Sequence, residues 1–206
     1  MFKNFKKLLA LTFTFCLLVA ANVFASVDTY TVQRGDTLWK IASKYQVGLS
    51  EIIGANPQFQ DPHKIYPGDK VYIPLLDEAT LSLEEEVVVL VNAERSRQGL
   101  RPLEMDWQVA RVARHKSDDM RDNRYFSHTS PIYGSPFDML KKFNISYRTA
   151  GENIAKGQRT ARDVVNAWMN SEGHRRNILN SNFTKIGVGY SVGGGSTYWT
   201  QIFITP

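Results

Sequence analysis

Cysteine is nearly absent from this chain of 206 residues, which contains only Cys16. A disulfide-stapled scaffold is therefore excluded. Glycine and proline are also sparse, at 14 and 8 residues, while 43% of the residues are hydrophobic. This composition excludes a collagen-like or wholly disordered chain. Core packing must hold the protein together, and the length suits one or two domains.

A strong excess of positive charge is missing as well, once the start of the chain is set aside. The formal net charge is +5, but Lys3, Lys6 and Lys7 lie in residues 1–25, which contain no acidic residue. The rest of the chain has 22 basic and 20 acidic residues. From so even a balance we expect no nucleic-acid partner.

Residues 1–25 have the pattern of a secretory signal peptide. A positively charged start is followed by an apolar run at residues 8–21 and by small residues placed for cleavage at residues 23–25. The run is short for a membrane-spanning helix, although an uncleaved anchor is the alternative. After cleavage the mature chain would begin near Ser26, with no cysteine and no membrane span. Such a protein suits a bacterial envelope.

Residues 27–74 predict a small unit with the order strand–helix–helix–strand. Asp36 is placed to cap the first helix, and Asn56 ends the second because the residue before a proline avoids helical backbone. The motifs of this unit are Tyr30-Thr31-Val32, Gly35-Asp36-Thr37-Leu38, Ile41-Ala42, Asn56-Pro57 and the run from Ile65 to Pro74. In this order they resemble a LysM module.

The LysM resemblance implies binding of N-acetylglucosamine-containing glycans, chiefly peptidoglycan or chitin, in a shallow groove between two turns. Carried onto this sequence, the groove residues are Gly35, Asp36, Thr37 and Leu38 on one side and Ile65, Tyr66 and Pro67 on the other. Core packing is the alternative role for Leu38 and Trp39, and helix capping is the alternative for Asp36. A single module is expected to bind weakly.

Residues 75–81 form a short join without the length or the glycine and proline content of a flexible tether. We therefore expect the two domains to lie close together. Residues 82–206 open with a capping box at Ser82 and predict several helices. Two late strands, at residues 185–192 and 198–204, are joined by a glycine turn. This order predicts a layered α+β or α/β/α sandwich.

Six motifs stand out in this second domain. They are Val91-Asn92-Ala93-Glu94-Arg95, Tyr125-Phe126-Ser127-His128, Ala150-Gly151-Glu152-Asn153-Ile154-Ala155, Ala167-Trp168-Met169-Asn170-Ser171, Gly173-His174-Arg175-Arg176-Asn177-Ile178-Leu179 and Ile186-Gly187-Val188-Gly189-Tyr190. Together they resemble the bacterial branch of the CAP superfamily, which also contains cysteine-rich secretory proteins, insect-venom antigen 5 and plant pathogenesis-related proteins. The resemblance implies an α-β-α sandwich with one open cleft.

In that family the cleft holds two histidines and two acidic residues. His128, Glu152 and His174 match three of them. The remaining acid normally lies three residues after the tryptophan that matches Trp168. This sequence has Ser171 at that position, followed by Glu172. Asp138 is a second candidate for the missing carboxylate. The fourth cleft residue therefore stays open.

Two imidazoles with one or two carboxylates have two chemical uses. They can hold a divalent metal such as zinc, or they can exchange protons near neutral pH. Hydrolysis would depend on water, because no serine lies in a nucleophile-elbow pattern and the mature chain lacks cysteine. The structural alternative is that both histidines brace the sheet.

Other conspicuous side chains have structural interpretations. We expect Trp107, Trp168 and Trp199 to be core aromatics, and we expect His115 and residues 95–97 to lie on solvated faces. The leading hypothesis is a secreted envelope protein that residues 27–74 hold on peptidoglycan, in the cell wall or a spore envelope. The alternatives are a metal-assisted hydrolase of wall peptide or protein, and a structural spore-coat or wall adaptor with an inert cleft.

Overall fold

The structure is a computed structural model that describes residues 27–206 of the chain. The predicted signal peptide, and the alternative of an uncleaved anchor, lie outside these residues. Within them, no helix combines the length and the apolar character that crossing a membrane requires. The described elements form two separate sheets, each with its own helices.

The small first unit pairs its two strands beside two helices. Its elements are β1 (Val27–Thr31), α1 (Leu38–Tyr45), α2 (Leu49–Gly54) and β2 (Lys70–Pro74). β1 and β2 are antiparallel, with Val27 opposite Pro74. The predicted strand–helix–helix–strand order is confirmed.

Helical spacing on α1 supplies the core of this unit. Leu38, Ile41 and Ala42 are buried on one side of the helix, because positions three and four apart share a helix face. They pack in one cluster with Ile52 of α2 and Val71 of β2. The unit therefore has an apolar core of its own.

The start of α1 differs from the prediction. Thr37 caps the helix, and its hydroxyl oxygen accepts the backbone N–H of Lys40 at 3.2 Å. Asp36 instead accepts the backbone N–H of Gln33 and the hydroxyl of Tyr30, each at 2.8 Å. The prediction that Asp36 caps α1 is wrong because this carboxylate closes the preceding turn.

The larger unit contains five helices and four strands among the described residues. Its elements are α3 (Glu78–Arg97), β3 (Glu104–Met105), α4 (Trp107–Asp122), α5 (Pro136–Lys142), β4 (Thr149–Lys156), α6 (Ala161–Met169), α7 (Glu172–Ile178), β5 (Lys185–Gly193) and β6 (Ser196–Thr205). The sheet order is β3-β5-β6-β4. β3 runs parallel to β5, and the other pairs are antiparallel.

Alternation along β6 gives this sheet two buried faces. Trp199 and Phe203 belong to a core cluster with residues of α3, α6 and α7. Ile202 and Ile204 belong to a second cluster with residues of α4 and α5. Helices therefore cover both faces of the sheet, and the predicted α-β-α sandwich is confirmed.

α4 lies unusually close to β5. A Cβ at Gly187 would overlap the backbone of Val109 and Ala110, and a Cβ at Gly189 would overlap the backbone of Ala113. Glycine is required at both strand positions because no flexible side chain is available to move aside. The Gly-Val-Gly spacing in the sequence thus sets the distance between helix and sheet.

α3 begins earlier than predicted. Asp77 accepts two backbone N–H groups of the first turn at 3.3 and 3.0 Å, and the helix starts at Glu78. The predicted capping box at Ser82 is wrong because no glycine or proline separates Ser82 from this earlier cap. Only residues 75–77 connect β2 to α3.

Among the three tryptophans of the larger unit, Trp168 and Trp199 are buried, as core aromatics should be. Trp107 is only half-buried, at the start of α4. The predicted solvated face at residues 95–97 is wrong for Arg95, which is 1% exposed. Its guanidinium donates to carbonyl oxygens on two other segments, at Arg101, Ile178 and Asn180. These hydrogen bonds give the N–H groups of the buried guanidinium their acceptors.

Candidate functional site

The first candidate site lies between two neighbouring turns, residues 33–37 and residues 65–69. The backbone N–H of Gly68 donates to the carbonyl of Val32 at 2.9 Å, and the N–H of Val32 donates to the carbonyl of Asp69 at 3.0 Å. These bonds hold the second turn against the start of the first. The two predicted sides of the glycan groove are therefore adjacent.

The side chains of the two turns differ in what they offer a ligand. The exposed members are Gly35, Thr37, Tyr66 and Pro67. Ile65 is half-buried, whereas Leu38 is 3% exposed and packs in the core. Trp39, for which core packing was the expected alternative, is 64% exposed. An aromatic side chain beside the first turn thus replaces Leu38 as the accessible apolar surface.

The second candidate site is built on a hydrogen bond between His128 and Glu152. Nδ1 of His128 lies 2.6 Å from Oε1 of Glu152. Glu152 lies on β4, opposite Ile202 of β6, and its side chain is 3% exposed, against 55% for His128. A buried carboxylate thus orients a ring that meets solvent. Nε2 of His128 is the nitrogen that remains for a ligand.

The second oxygen of Glu152 adds a polar group without a partner. Oε2 is buried and has no hydrogen-bond partner among residues 27–206. A buried acceptor without a donor is energetically costly. A hydroxyl or amide N–H group brought to this oxygen would remove that cost. This oxygen has almost no accessible surface, so the exposed group of the pair is the His128 ring.

His174 is placed near this pair by α7. Asn153 of β4 donates its amide N–H to the carbonyl of His174 at 3.1 Å. Asn177, one turn later on α7, donates to the carbonyl of Glu152 at 3.1 Å and to the side-chain oxygen of Asn153 at 2.8 Å. The two asparagines therefore fasten α7 to the strand that carries Glu152.

The two cleft histidines have pKa values shifted in opposite directions. The hydrogen bond to Glu152 raises the pKa of His128 from its ordinary 6.5. Burial, and then the positive charge of His128, lower the pKa of His174 from the same ordinary value. These directions make His128 easier to protonate than His174. Such a separation is how paired groups divide acid and base roles.

A buried polar network supports the loop that carries His128. Lys116 of α4 is fully buried, and its ammonium donates to the carbonyls of Ser127 and His128 at 2.7 and 2.9 Å and to the hydroxyl of Tyr125 at 3.0 Å. Burial lowers the pKa of Lys116, against the opposing charges of acidic neighbours. The lysine therefore positions the His128 backbone from beneath.

Asp119, one turn after Lys116 on α4, completes the network. It accepts hydrogen bonds from the hydroxyl of Tyr125, from the hydroxyl of Ser130 at 2.6 Å and from the amide of Asn123 at 2.7 Å. Sequence reasoning missed both residues. The available signal was the spacing of Lys116 and Asp119, which places two charges on the apolar face of α4 with Ala113 and Met120.

The proposed fourth acid is not brought into the hydrogen-bonded pair. Asp138 is exposed and forms a capping box with Ser135, whose N–H and hydroxyl donate to its Oδ2 at 3.0 and 2.6 Å. Glu172 is exposed in the first turn of α7, and Ser171 is the residue before that helix. The contacts of the described residues thus show one acid, Glu152, bonded to a cleft histidine.

The donor geometry does not fit a zinc site with three protein ligands. Within residues 27–206, no three histidine, cysteine or acidic side chains come close enough to hold one metal ion. Glu152 is already bonded to His128, as an orienting carboxylate would be. The arrangement is suited to hydrogen bonding and proton exchange by the protein's own side chains.

Comparisons with known families agree with both halves of the structure. The family model described as the cysteine-rich secretory protein family (CAP) matches residues 88–203. The model of the LysM domain matches residues 30–74. The LysM match falls within the small first unit of the fold, and the CAP match falls within the larger second unit.

The individual proteins that this chain is similar to include two from Bacillus subtilis. YkwD of Bacillus subtilis (strain 168) is 64% identical over 121 residues, which are 59% of this chain and 46% of YkwD. SpoIVD-associated factor A of the same organism is 47% identical over 45 residues, 22% of this chain and 12% of that protein.

A solved structure gives the same result for the fold. An extracellular protein containing an SCP domain, from Bacillus anthracis str. Ames, is 39% identical with a TM-score of 0.58. The match covers 68% of this chain and 47% of that protein. The chain therefore spans about half the length, or less, of these three relatives.

Proposed function

The chain belongs to the cysteine-rich secretory protein (CAP) family and carries a LysM domain, and on this basis we propose that it is a secreted protein held on peptidoglycan or a related N-acetylglucosamine polymer. The CAP domain would present its histidine–carboxylate cleft to a ligand near that polymer. The extracellular description of the Bacillus anthracis relative supports the location. A 45-residue similarity, at 47% identity, to the spore coat assembly protein ExsA of Bacillus cereus motivates testing spore layers as well as cell wall.

The observation that carries this proposal is the pair of adjacent, exposed turns in the LysM domain. Turn backbone at Gly35 and Thr37 is accessible, and Tyr66 is 63% exposed on the neighbouring turn. Backbone groups suit the amides of N-acetyl sugars, and an exposed ring suits their apolar faces. A shallow open surface of this kind suits a long polymer better than a small molecule, which usually occupies a concave pocket.

Retention on purified peptidoglycan sacculi tests the proposal. We expect the protein to sediment with sacculi and the variant lacking residues 27–74 to remain in solution. Equal retention of the two proteins would refute targeting by the LysM domain. Sacculi and spore-coat material, compared side by side, would identify the preferred envelope.

For the CAP domain we propose that His128 and Glu152 bind a polar ligand. The support is the exposed ring of His128, which the buried carboxylate of Glu152 orients through Nδ1. A ligand hydroxyl or amide would hydrogen-bond to Nε2 of His128. An oligopeptide or a glycan of the wall carries such donors in quantity.

A second candidate function is hydrolysis of wall peptide or protein with water as the nucleophile. The opposite directions of the pKa shifts of His128 and His174 motivate it, because acid and base catalysis needs one group that holds a proton and one that does not. Digestion of wall fragments by the purified protein tests this candidate, with His128→Ala as the inactive variant. His63→Ala, in an exposed loop of the LysM domain, is the matched control. Absence of cleavage by the unmodified protein would leave ligand binding, or an inert adaptor, as the role of the CAP domain.

A further inference from the structure

An ionic cluster joins the LysM domain to the CAP domain. Arg111 of α4 approaches Glu51 of α2 with both sides of its guanidinium, at 2.5 Å from Nε to Oε1 and 2.8 Å from Nη2 to Oε2. Arg111 also donates to the hydroxyl of Ser50 at 2.8 Å. His115, one turn later on α4, places Nε2 2.7 Å from Oε1 of Glu51. The expectation that His115 lies on a solvated face is wrong, because the LysM domain meets it there.

On the CAP side of this cluster, the basic side chains are positioned by a contact within their own domain. The ring of Phe143, which follows α5, contacts both basic residues. The Arg111 guanidinium lies 4.8 Å from the centre of that ring, and the His115 ring centre lies 4.9 Å from it. Stacking of a guanidinium on an aromatic ring limits its conformations. The two donors are therefore oriented by their own domain toward Glu51.

The LysM side is shaped to admit the arginine. Gly48 is the residue before α2, and a Cβ at this position would overlap both Glu51 and Arg111. Its φ of −73° is open to any residue, so space rather than backbone conformation calls for glycine. The close approach of Arg111 thus depends on the absence of a side chain at Gly48.

The ion pair is largely shielded from water. The side chains of Arg111 and Glu51 are 20% and 29% exposed. Burial raises the pKa of Glu51, but hydrogen bonds from His115 and then Arg111 outweigh it and leave the pKa well below its usual range. Glu51 is therefore charged at neutral pH. A bidentate pair in such surroundings contributes more than an ordinary surface ion pair.

Outside this ionic cluster, the contact between the two domains is too loosely packed to set their relative orientation. A cavity of about 390 Å³ separates the domains, with Val47 and Leu76 on one side and Met105 and Trp107 on the other. Apolar packing is thus incomplete there. The link of residues 75–77 spans at most about 10 Å, so it keeps the domains close without setting their angle.

We propose that Arg111, His115 and Phe143 form a docking surface on the CAP domain for an acidic LysM helix, and that Glu51 locks the two domains in one orientation. If the LysM domain binds glycan as proposed above, the bound glycan then determines the direction in which His128 faces. The LysM domain would then set the orientation of the CAP domain on the polymer as well as its location.

Residual dipolar couplings of the purified protein test this lock. In the unmodified protein, couplings from both domains should fit one alignment tensor. Arg111→Glu places like charges together, so the common tensor should be lost while each domain still fits its own structure. Arg162→Glu, the same charge reversal at an exposed position on α6, should keep the common tensor.

Two further variants separate release of the domains from loss of folding. Glu51→Arg combined with Arg111→Glu restores opposite charges and should restore the common tensor. Gly48→Ala changes no charge but fills the space of the ion pair, and it should also separate the tensors. Independent tensors in the unmodified protein, or a common tensor retained by both Arg111→Glu and Gly48→Ala, would overturn the proposal.

Discussion

The two candidate sites are built in opposite ways. The LysM turns take their groove residues from two short motifs, and their accessible groups are backbone and exposed side chains such as Tyr66. The candidate CAP site joins His128 to Glu152, 24 residues apart in sequence, on a buried support from α4. The first site is local and shallow, whereas the second depends on the packing of the whole domain. Substitutions should therefore have separable effects at the two sites.

The largest effect is expected from removing the buried support of the cleft. Asp119→Ala leaves three donors without their acceptor and should lower the free energy of unfolding by about 3 kcal/mol. Asp122→Ala, on the exposed side of the same helix, is the control and should change it by less than about 0.5 kcal/mol. Urea denaturation measures both. Equal losses in the free energy of unfolding for the two variants would contradict the dependence of the His128 site on this buried network.

The next effect concerns the hydrogen bond that orients His128. Glu152→Gln removes the carboxylate that raises the pKa of His128, so this pKa should fall to its ordinary value or below. A pH titration of the imidazole resonances by NMR measures the change. Glu172→Gln, at an exposed acid of α7, should leave the titration unaltered. A His128 pKa unchanged by Glu152→Gln would exclude the pair as the cause.

The pH dependence of stability should differ in sign between the two cleft histidines. The raised pKa of His128 gives a stabilising contribution that is present below pH 6.5, its ordinary value, and is lost as the pH rises through the folded pKa. The lowered pKa of His174 gives the opposite: stability present above pH 6.5 and lost as the pH falls through the folded pKa. Unfolding of His128→Gln and His174→Gln across this range measures both contributions. Parallel pH profiles would contradict the opposite shifts.

The smallest effect is expected at the local site. Tyr66→Ala should weaken retention on sacculi by about 1 kcal/mol, roughly fivefold in Kd, with no change in the free energy of unfolding. Tyr72→Ala, at an exposed tyrosine on β2 outside the two turns, is the matched control. Weakening of the same size in both variants would show that the binding surface is not confined to the turns.

The same contrast explains which features could be predicted from sequence. Both domain folds were accessible, because their motifs are local and their apolar positions follow helix and strand periods. The roles of Lys116 and Arg95 were not, since each is buried only by segments folded over it from elsewhere in the chain. His115 was misplaced for a related reason. Its partner, Glu51, is 64 residues away in the other domain.

Helix starts show a subtler limit. Ser82 fits a capping box, and Asp36 fits an N-cap, yet Asp77 and Thr37 hold those positions in the structure. Several residues near a helix start can accept the free N–H groups, and the competition is decided by which of them is free of other bonds. Asp36 is engaged by the turn before α1. Sequence alone does not show that engagement.

The most direct test of the account is to titrate the purified protein with a soluble N-acetylglucosamine oligomer and follow its backbone amides by NMR. We predict chemical-shift changes in residues 33–39 and 65–69, with His128, Glu152 and His174 undisturbed. Shift changes centred on the cleft histidines, with none in the two turns, would contradict the division of the molecule into a glycan-binding anchor and a separate polar cleft.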